Sequence, residues 1–283
     1  MLADRNSSIL EARRLTRRSR RDQAREFLAE GPQAVREALT APGVVLEVFG
    51  TPAAFDLHGD WLAESPVVLQ PLSDKAAATL SETVHPQGLI ARCRYVDLEL
   101  TDVVATSPVL VAVLAGIADP GNAGTILRTA DAAGADAVIF TAGSVDPYNG
   151  KCVRASAGSL FHVPIVRAAD FAEVRTAIRS AGLQLLGAEA SATRSLGEPD
   201  TDLLLHAPSA WVFGSEAHGL TAIEAAETSA EVTSVGVTSA GLVDAHIRIP
   251  IWGRAESLNV SAAAAICLYA SAAAQRRTSR PTV

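Results

Sequence analysis

The pattern of apolar and polar positions is clearest from residue 108 onward. Val109-Leu110-Val111-Ala112-Val113-Leu114 is a continuous apolar run of strand length, ended by the turn Ala118-Asp119-Pro120-Gly121. From Asn122 to Ala133 the apolar residues Ile126, Leu127 and Ala130 recur at helical spacing, with Gly134 placed to cap the C-terminus. Ala137-Val138-Ile139-Phe140 is the next strand. A buried strand, a helix and a second strand make a βαβ unit, which implies a parallel sheet covered by helices. The alternation continues with a helix from Phe171 to Ser180 and strands at Leu183 to Gly187 and Trp211-Val212-Phe213. A helix from Leu220 to Ala226, a strand Ile247-Arg248-Ile249 and a long alanine-rich helix from Leu258 to Gln275 complete it.

The first hundred residues read as a smaller α/β unit. An arginine-rich arm runs into a helical pattern of Phe27, Leu28, Val35, Ala38 and Leu39. Strand-like runs follow at Val44 to Phe49 and at Val67-Val68-Leu69. A polar helix from Ser73 to Ser81 carries Asp74 near its start. Gly88-Leu89-Ile90-Ala91 is a further strand, and Thr101 to Pro108 reads as a linker. The expected division is 1–103 and 104–283, and no internal repeat is visible.

Composition narrows the class. The 283 residues are 48% apolar, enough to exclude wholesale disorder. A net charge of -7 excludes a purely electrostatic nucleic-acid binder, but not a local basic patch. Residues 1–25 hold such a patch: Arg5, Arg13, Arg14, Arg17, Arg18, Arg20, Arg21 and Arg25 stand against only Asp4, Glu11 and Asp22. Lysine is nearly absent, so the arginines also have a plainer reading as a solvated surface in a biased genome. Cys93, Cys152 and Cys267 are too scattered for a zinc site or a disulfide framework and read as buried thiols. No metal site is expected. The arginines lack a following apolar segment, and the most apolar stretch, Val103 to Ala118, is too short to span a membrane. A soluble, cytoplasmic protein is expected.

Four segments have residues suited to chemistry. Asp119-Pro120-Gly121-Asn122-Ala123-Gly124-Thr125-Ile126-Leu127-Arg128 turns from a strand into a helix, where backbone N–H groups attract anions and glycine permits close approach. It reads equally as an ordinary turn with a surface arginine, and it lacks the G-x-G-x-x-G dinucleotide fingerprint. Phe213-Gly214-Ser215-Glu216-Ala217-His218-Gly219 holds acid, serine and histidine but not the G-x-S-x-G frame of a nucleophile elbow. Capping by Ser215 and Glu216 would also explain it. In Ile249-Pro250-Ile251-Trp252-Gly253-Arg254-Ala255-Glu256-Ser257-Leu258-Asn259-Val260-Ser261, Ser257 reads as the N-cap of the last helix, which leaves Asn259 and Ser261 unexplained. Lys151 to Leu160, with Lys151, Arg154, Ser156 and Ser159, reads as a phosphate holder or as a helix with solvated charges.

Taken together and in order, Asn-x-Gly-x-x-x-Arg-Thr-Ala, Gly-Ser-Glu-x-x-Gly-Leu and Ile-Pro-Ile-x-Gly-x-x-x-Ser-Leu-Asn-Val-Ser resemble the three motifs of the SpoU/TrmH family of ribose 2′-O-methyltransferases. The resemblance covers roughly residues 105–275. Before it, the arm Arg-Asp-Gln-Ala-Arg-Glu-Phe-Leu-Ala-Glu-Gly-Pro and His85-Pro86-Gln87-Gly88 resemble the ribosomal-protein-like substrate-binding module of such enzymes.

The resemblance implies an α/β chain in which a C-terminal, trefoil-knotted parallel-sheet SPOUT domain follows a small RNA-binding domain. It implies S-adenosylmethionine as cofactor, bound by backbone near Gly187, Ala188, Gly214, Ile249, Leu258 and Asn259. It implies a homodimer, with Arg128, Asn122, Glu216, Ser257 and Asn259 around the target ribose. Arg128 suits an electrostatic role, because guanidinium is very hard to deprotonate. RNA would be held by Arg13, Arg14, Arg17, Arg18, Arg20, Arg21 and Arg154, with help from Arg254, Arg276 and Arg277. The expected activity is 2′-O-methylation of RNA, foremost 23S ribosomal RNA. The alternatives are a transfer-RNA target, a non-catalytic assembly factor and, weakest, a nicotinamide oxidoreductase.

Overall fold

A computed structural model describes residues 2, 6–215, 220 and 241–278, without the side chains of Arg277 and Thr278. Two compact units emerge. The first comprises Met1–Val96 with Asp146–His162, and the second Asp97–Val145 with Val163–Val283.

The first unit is built on strands β1 (Glu26–Glu30), β2 (Val45–Gly50), β3 (Val68–Pro71) and β4 (Leu89–Arg94), in the spatial order β1-β4-β2-β3. β4 runs antiparallel to β1 and β2, and β3 runs parallel to β2. The arginine-rich segment is folded. Asn6 caps a helix at Ser7–Arg14, whose Ile9 and Ala12 join Phe49, Leu72, Leu80 and Ile90 in a core cluster. A second helix, Arg18–Ala24, ends where Arg25 takes a left-handed φ of 57°.

That turn corrects the sequence reading at Phe27 and Leu28, which lie in β1 and not in a helix. The strand alternates, with Phe27 and Ala29 inward, and the helix begins only at Pro32 (Pro32–Thr40). Phe27 belongs to an aromatic cluster with Tyr95, Tyr148 and Phe161, its centroid 4.7 Å from that of Tyr148. Tyr148 and Phe161 come from the 146–162 segment, so aromatic packing fixes that segment in this unit.

The second unit has seven parallel strands among the described residues: β5 (Leu110–Ala115), β6 (Ala137–Thr141), β7 (Ile165–Ala169), β8 (Gln184–Ala188), β9 (Arg194–Ser195), β10 (Ser209–Gly214) and β11 (Ala245–Arg248). Their order is β7-β6-β5-β10-β8-β11-β9. β5 and β10 are buried along their whole length, as parallel strands covered on both faces must be. Val111, Val113, Ala210 and Val212 face a core completed by Val174 and Ile178 of the helix Phe171–Ser180.

On the other face, the final helix (Val260–Thr278) packs against β10 and the helix Pro120–Ala133. Trp211 is fully buried, and its indole N–H donates to Ser271 at 2.8 Å. This bond satisfies the one polar atom of a large apolar side chain and sets the rotation of the last helix. Gly134 caps the helix Pro120–Ala133 at φ 72°, as expected.

The proposed linker at Thr101–Pro108 is corrected. A helix, Leu100–Ala105, occupies it and buries Val103. Its short length hid the periodicity. The two units divide at Val96, ahead of this helix. The expected helix from Leu220 to Ala226 lies outside the described residues after Leu220.

Candidate functional site

In the second unit the C-terminal ends of β8, β10 and β11 open on one cleft of about 400 Å³. This end of a parallel sheet is where the strand-to-helix loops gather and where α/β folds bind ligands. β8 leads into Ala188, Glu189 and Ala190, and β10 into Gly214 and Ser215. β11 leads through Ile249 and Ile251 to Ser257, Leu258 and Asn259. The walls are apolar at Ile247, Ile249 and Leu258, while Ala188, Ala190 and Gly214 leave space beside the peptide groups. Volume and lining fit a nucleoside-sized group held by backbone.

Five of the residues expected at the cofactor therefore share one cleft: Ala188, Gly214, Ile249, Leu258 and Asn259. Gly187 does not line it. A Cβ there would lie 2.8 Å from Leu220 Cδ1, 3.1 Å from Val243 Cγ2 and 3.3 Å from His246 Nδ1. Its smallness serves the packing behind the cleft.

The first and third motifs meet directly. Asp119 caps the helix Pro120–Ala133 by accepting from the Asn122 backbone N–H at 2.8 Å. Asn122 Oδ1 then accepts from Asn259 Nδ2 at 3.1 Å. Asn259 Oδ1 in turn accepts from the Ser261 backbone N–H at 2.9 Å. Asn259, not Ser257, is thus the side chain that caps the last helix, because the helix starts two residues later than the apolar pattern implied. Ser257 lies on the cleft wall.

Arg128 lies on the helix that carries Asn122, about 9 Å further along its axis at 1.5 Å per residue. It is exposed, is not on the cleft wall, and has no ion-pair partner among the described residues. A cation so placed is available to a bound anion. Glu216 and His218 lie outside the described residues.

Sequence reasoning missed Glu189 and His246. Glu189 lines the cleft, and its Oε2 lies 2.7 Å from Nδ1 of His246 on β11. Only the sheet order, which puts β11 beside β8, reveals the pair.

In the first unit Arg13, Arg14, Arg17, Arg18 and Arg20 are exposed. Arg21 is corrected: it is buried, and its Nη2 is 2.7 Å from Asp146 Oδ2. Its Nη1 donates to the carbonyls of Leu15 and Thr16 at 2.9 and 3.0 Å. That guanidinium is consumed in holding the segment from Asp146 and is not open to phosphate. Arg154 pairs with Glu30 at 2.9 Å, so its charge is largely answered within the protein.

All three cysteines are buried. Burial pushes the Cys93 thiol upward and the Cys267 thiol up to about 12, which leaves both protonated and unreactive at neutral pH. No helix among the described residues is long and apolar enough to cross a membrane.

Comparison with known proteins agrees with this geometry. Residues 109–269 match the family model of the SpoU rRNA Methylase family, and residues 6–91 match an MRM3-like substrate binding domain. A 23S rRNA (guanosine(2553)-2′-O)-methyltransferase, RlmP, of Bacillus subtilis is 32% identical over 93% of this chain and 95% of its own. A 23S rRNA (guanosine-2′-O-)-methyltransferase, RlmB, of Vibrio cholerae is 32% identical over 76% of this chain and 81% of its own.

Among solved structures, an AdoMet-bound rRNA methyltransferase from Sinorhizobium meliloti superimposes with a TM-score of 0.74 at 27% identity, covering 98% of this chain and 96% of that one. The SpoU methyltransferase AviRb from Streptomyces viridochromogenes, in complex with AdoMet, gives 0.76 at 26% identity over 97% of this chain and 100% of that one. With residues of the second and third motifs lining one strand-end cleft, Asn122 of the first bonded to Asn259 on its wall, and a family model spanning most of the second unit, the chain belongs to the SpoU rRNA methylase family.

Proposed function

We propose that this protein transfers the methyl group of S-adenosylmethionine to a ribose 2′-hydroxyl of 23S ribosomal RNA. The observation that carries the reading is the convergence of the three motifs. Gly214, Ser215, Ser257 and Leu258 line one cleft, and the Asn122–Asn259 hydrogen bond brings the first motif to its edge. Ala188, Gly214, Ile249 and Leu258 would hold the nucleoside of the cofactor, which supplies an electrophilic methyl carbon. Asn122, Asn259, Ser257 and Glu216 would orient the ribose.

Arg128 would place the adjoining phosphate and stabilise negative charge developing on the 2′-oxygen. Bound in the cleft, S-adenosylmethionine would supply the methyl carbon to this oxygen, which must give up its proton, while Asn122, Asn259 and Ser257 would keep the hydroxyl in line. Orientation supplies much of the rate, since the electrophile is already activated.

The first unit supplies the RNA-binding surface through Arg13, Arg14, Arg17, Arg18 and Arg20, which are exposed cations of the kind that pair with phosphate. We divide the work between the units: substrate binding by the first, Met1–Val96 with Asp146–His162, and methyl transfer by the second. The protein acts as a homodimer in the cytoplasm, and the exposed Ile251, Trp252, Ile266 and Tyr269 of the second unit support self-association. The position of β11 between β8 and β9 is consistent with the threaded path of a trefoil knot.

The test is a map of ribose methylation across total RNA with and without the gene. One 2′-O-methyl group missing from 23S rRNA is the expected result. A missing group on transfer RNA would move the target, and an unchanged map with unmethylated purified RNA as a failed substrate would sink the enzyme reading.

A further inference from the structure

Glu189 is the one charged side chain among the described residues that line the cleft; its other walls are apolar side chains, small residues, hydroxyls and an amide. A lone carboxylate in a largely neutral, partly enclosed cleft is costly unless something steadies it and something uses it. His246 steadies it. Its Nδ1 lies 2.7 Å from Glu189 Oε2, and both side chains are half-buried. The backbone repeats the link, since the Glu189 N–H donates to the Ile247 carbonyl at 3.0 Å. Gly187 clears the space in which the imidazole sits, a Cβ there approaching His246 Nδ1 to 3.3 Å. The Glu189 backbone is therefore tied to β11, and its carboxylate lies at the cleft wall against the imidazole of that neighbouring strand.

What uses it follows from the chemistry of the proposed reaction. The methyl donor carries a fixed positive charge on sulfur. The demethylated product is a neutral thioether of nearly the same shape. An apolar cleft cannot separate two ligands that differ by one methyl and one charge, but a fixed carboxylate can. We propose that Glu189, positioned by His246, makes the cleft prefer the charged methyl donor over its spent product, so that loss of the charge on transfer loosens the product. The proposal rests on S-adenosylmethionine being the donor.

Calorimetry on the full-length protein tests it with S-adenosylmethionine and S-adenosylhomocysteine as separate titrants. Glu189→Gln is expected to weaken the first about tenfold and the second less than about twofold, the size of one charge pair a few ångströms apart at a dielectric near that of water. Glu189→Asp, which keeps the charge, should restore most of the preference, and His246→Ala should lose part of it. Equal weakening of both ligands by Glu189→Gln, or no weakening of either, overturns the proposal.

Should Glu189→Gln not fold, the wild-type protein still decides. Its preference for the charged ligand must shrink as salt rises, because screening acts on the charged ligand and spares the neutral sulfur, and a salt-independent preference overturns the proposal. If the wild-type protein binds neither molecule, the methyl-donor reading itself falls.

Discussion

Asn259 and Asn122, 137 positions apart in the chain, share a hydrogen bond of 3.1 Å between Nδ2 and Oδ1. One carboxamide thereby caps the last helix with its oxygen and ties the first motif to the third with its nitrogen. Asn259→Ala should cost about 1 kcal/mol of stability through the lost cap. Asn259→Asp keeps the acceptor and removes the donor, so its melting temperature should stay near wild type while methyl transfer drops by on the order of tenfold or more. Full activity in Asn259→Asp would reduce the residue to a cap.

Arg128 makes the sharpest catalytic prediction. Arg128→Ala should lower kcat/KM for RNA by about a hundredfold or more, the usual loss when a charge-stabilising group is removed. Affinity for S-adenosylmethionine should be unchanged by calorimetry, because Arg128 is off the cleft wall. Arg128→Lys should rescue little, since a point charge cannot grip phosphate in two places. Turnover retained in the alanine variant would remove Arg128 from the reaction.

The arginines of residues 13–21 should divide into two groups. Alanine at Arg17, Arg18 or Arg20 should leave stability intact and make RNA affinity less steeply salt-dependent, by about 0.7–0.9 in the log–log slope for each phosphate no longer neutralised. Arg21→Ala should instead destabilise the first unit by about 3–5 kcal/mol, because it strands the buried Asp146 carboxylate. Paired denaturation and filter-binding measurements separate the two; an Arg21→Ala protein of wild-type stability would contradict the buried pair.

Gly187→Ala should destabilise by about 1–3 kcal/mol as the methyl group pushes against Leu220 and Val243. Cofactor affinity should weaken with it through displacement of His246 and Glu189. A stable variant with unaltered affinity would show that the space behind the cleft is slack.

The thiols predict a pH effect with a defined sign. Cys93 and Cys267 stay protonated in the folded state well above the ordinary thiol value of about 8.5, whereas the unfolded chain ionises there. The unfolded state therefore releases protons first, and stability falls as pH rises above about 8.5, towards about 12 for Cys267. Cys267→Ala should flatten that alkaline loss in thermal melts. The native protein should also resist alkylation at neutral pH until it is unfolded, and rapid labelling of all three cysteines would refute their burial.

Where local chemistry is in control, the order of residues was enough. Val109–Leu114 had to hold a buried strand because no polar side chain interrupts it, and Gly134 had to end its helix because a left-handed residue is easiest as glycine. The three motifs were legible for the same reason, each being a short run at a strand end. Phe27 could not be placed from its neighbours, since the packing that makes it a strand residue comes from Tyr148 and Phe161, more than a hundred residues later. Arg21 looked like its exposed neighbours until Asp146 arrived beside it. Glu189 had no signal at all, because its meaning depends on β11 lying against β8. These three were settled by the folded arrangement, for burial and pairing are properties of what the fold brings near, and a one-dimensional pattern records only what lies near along the chain.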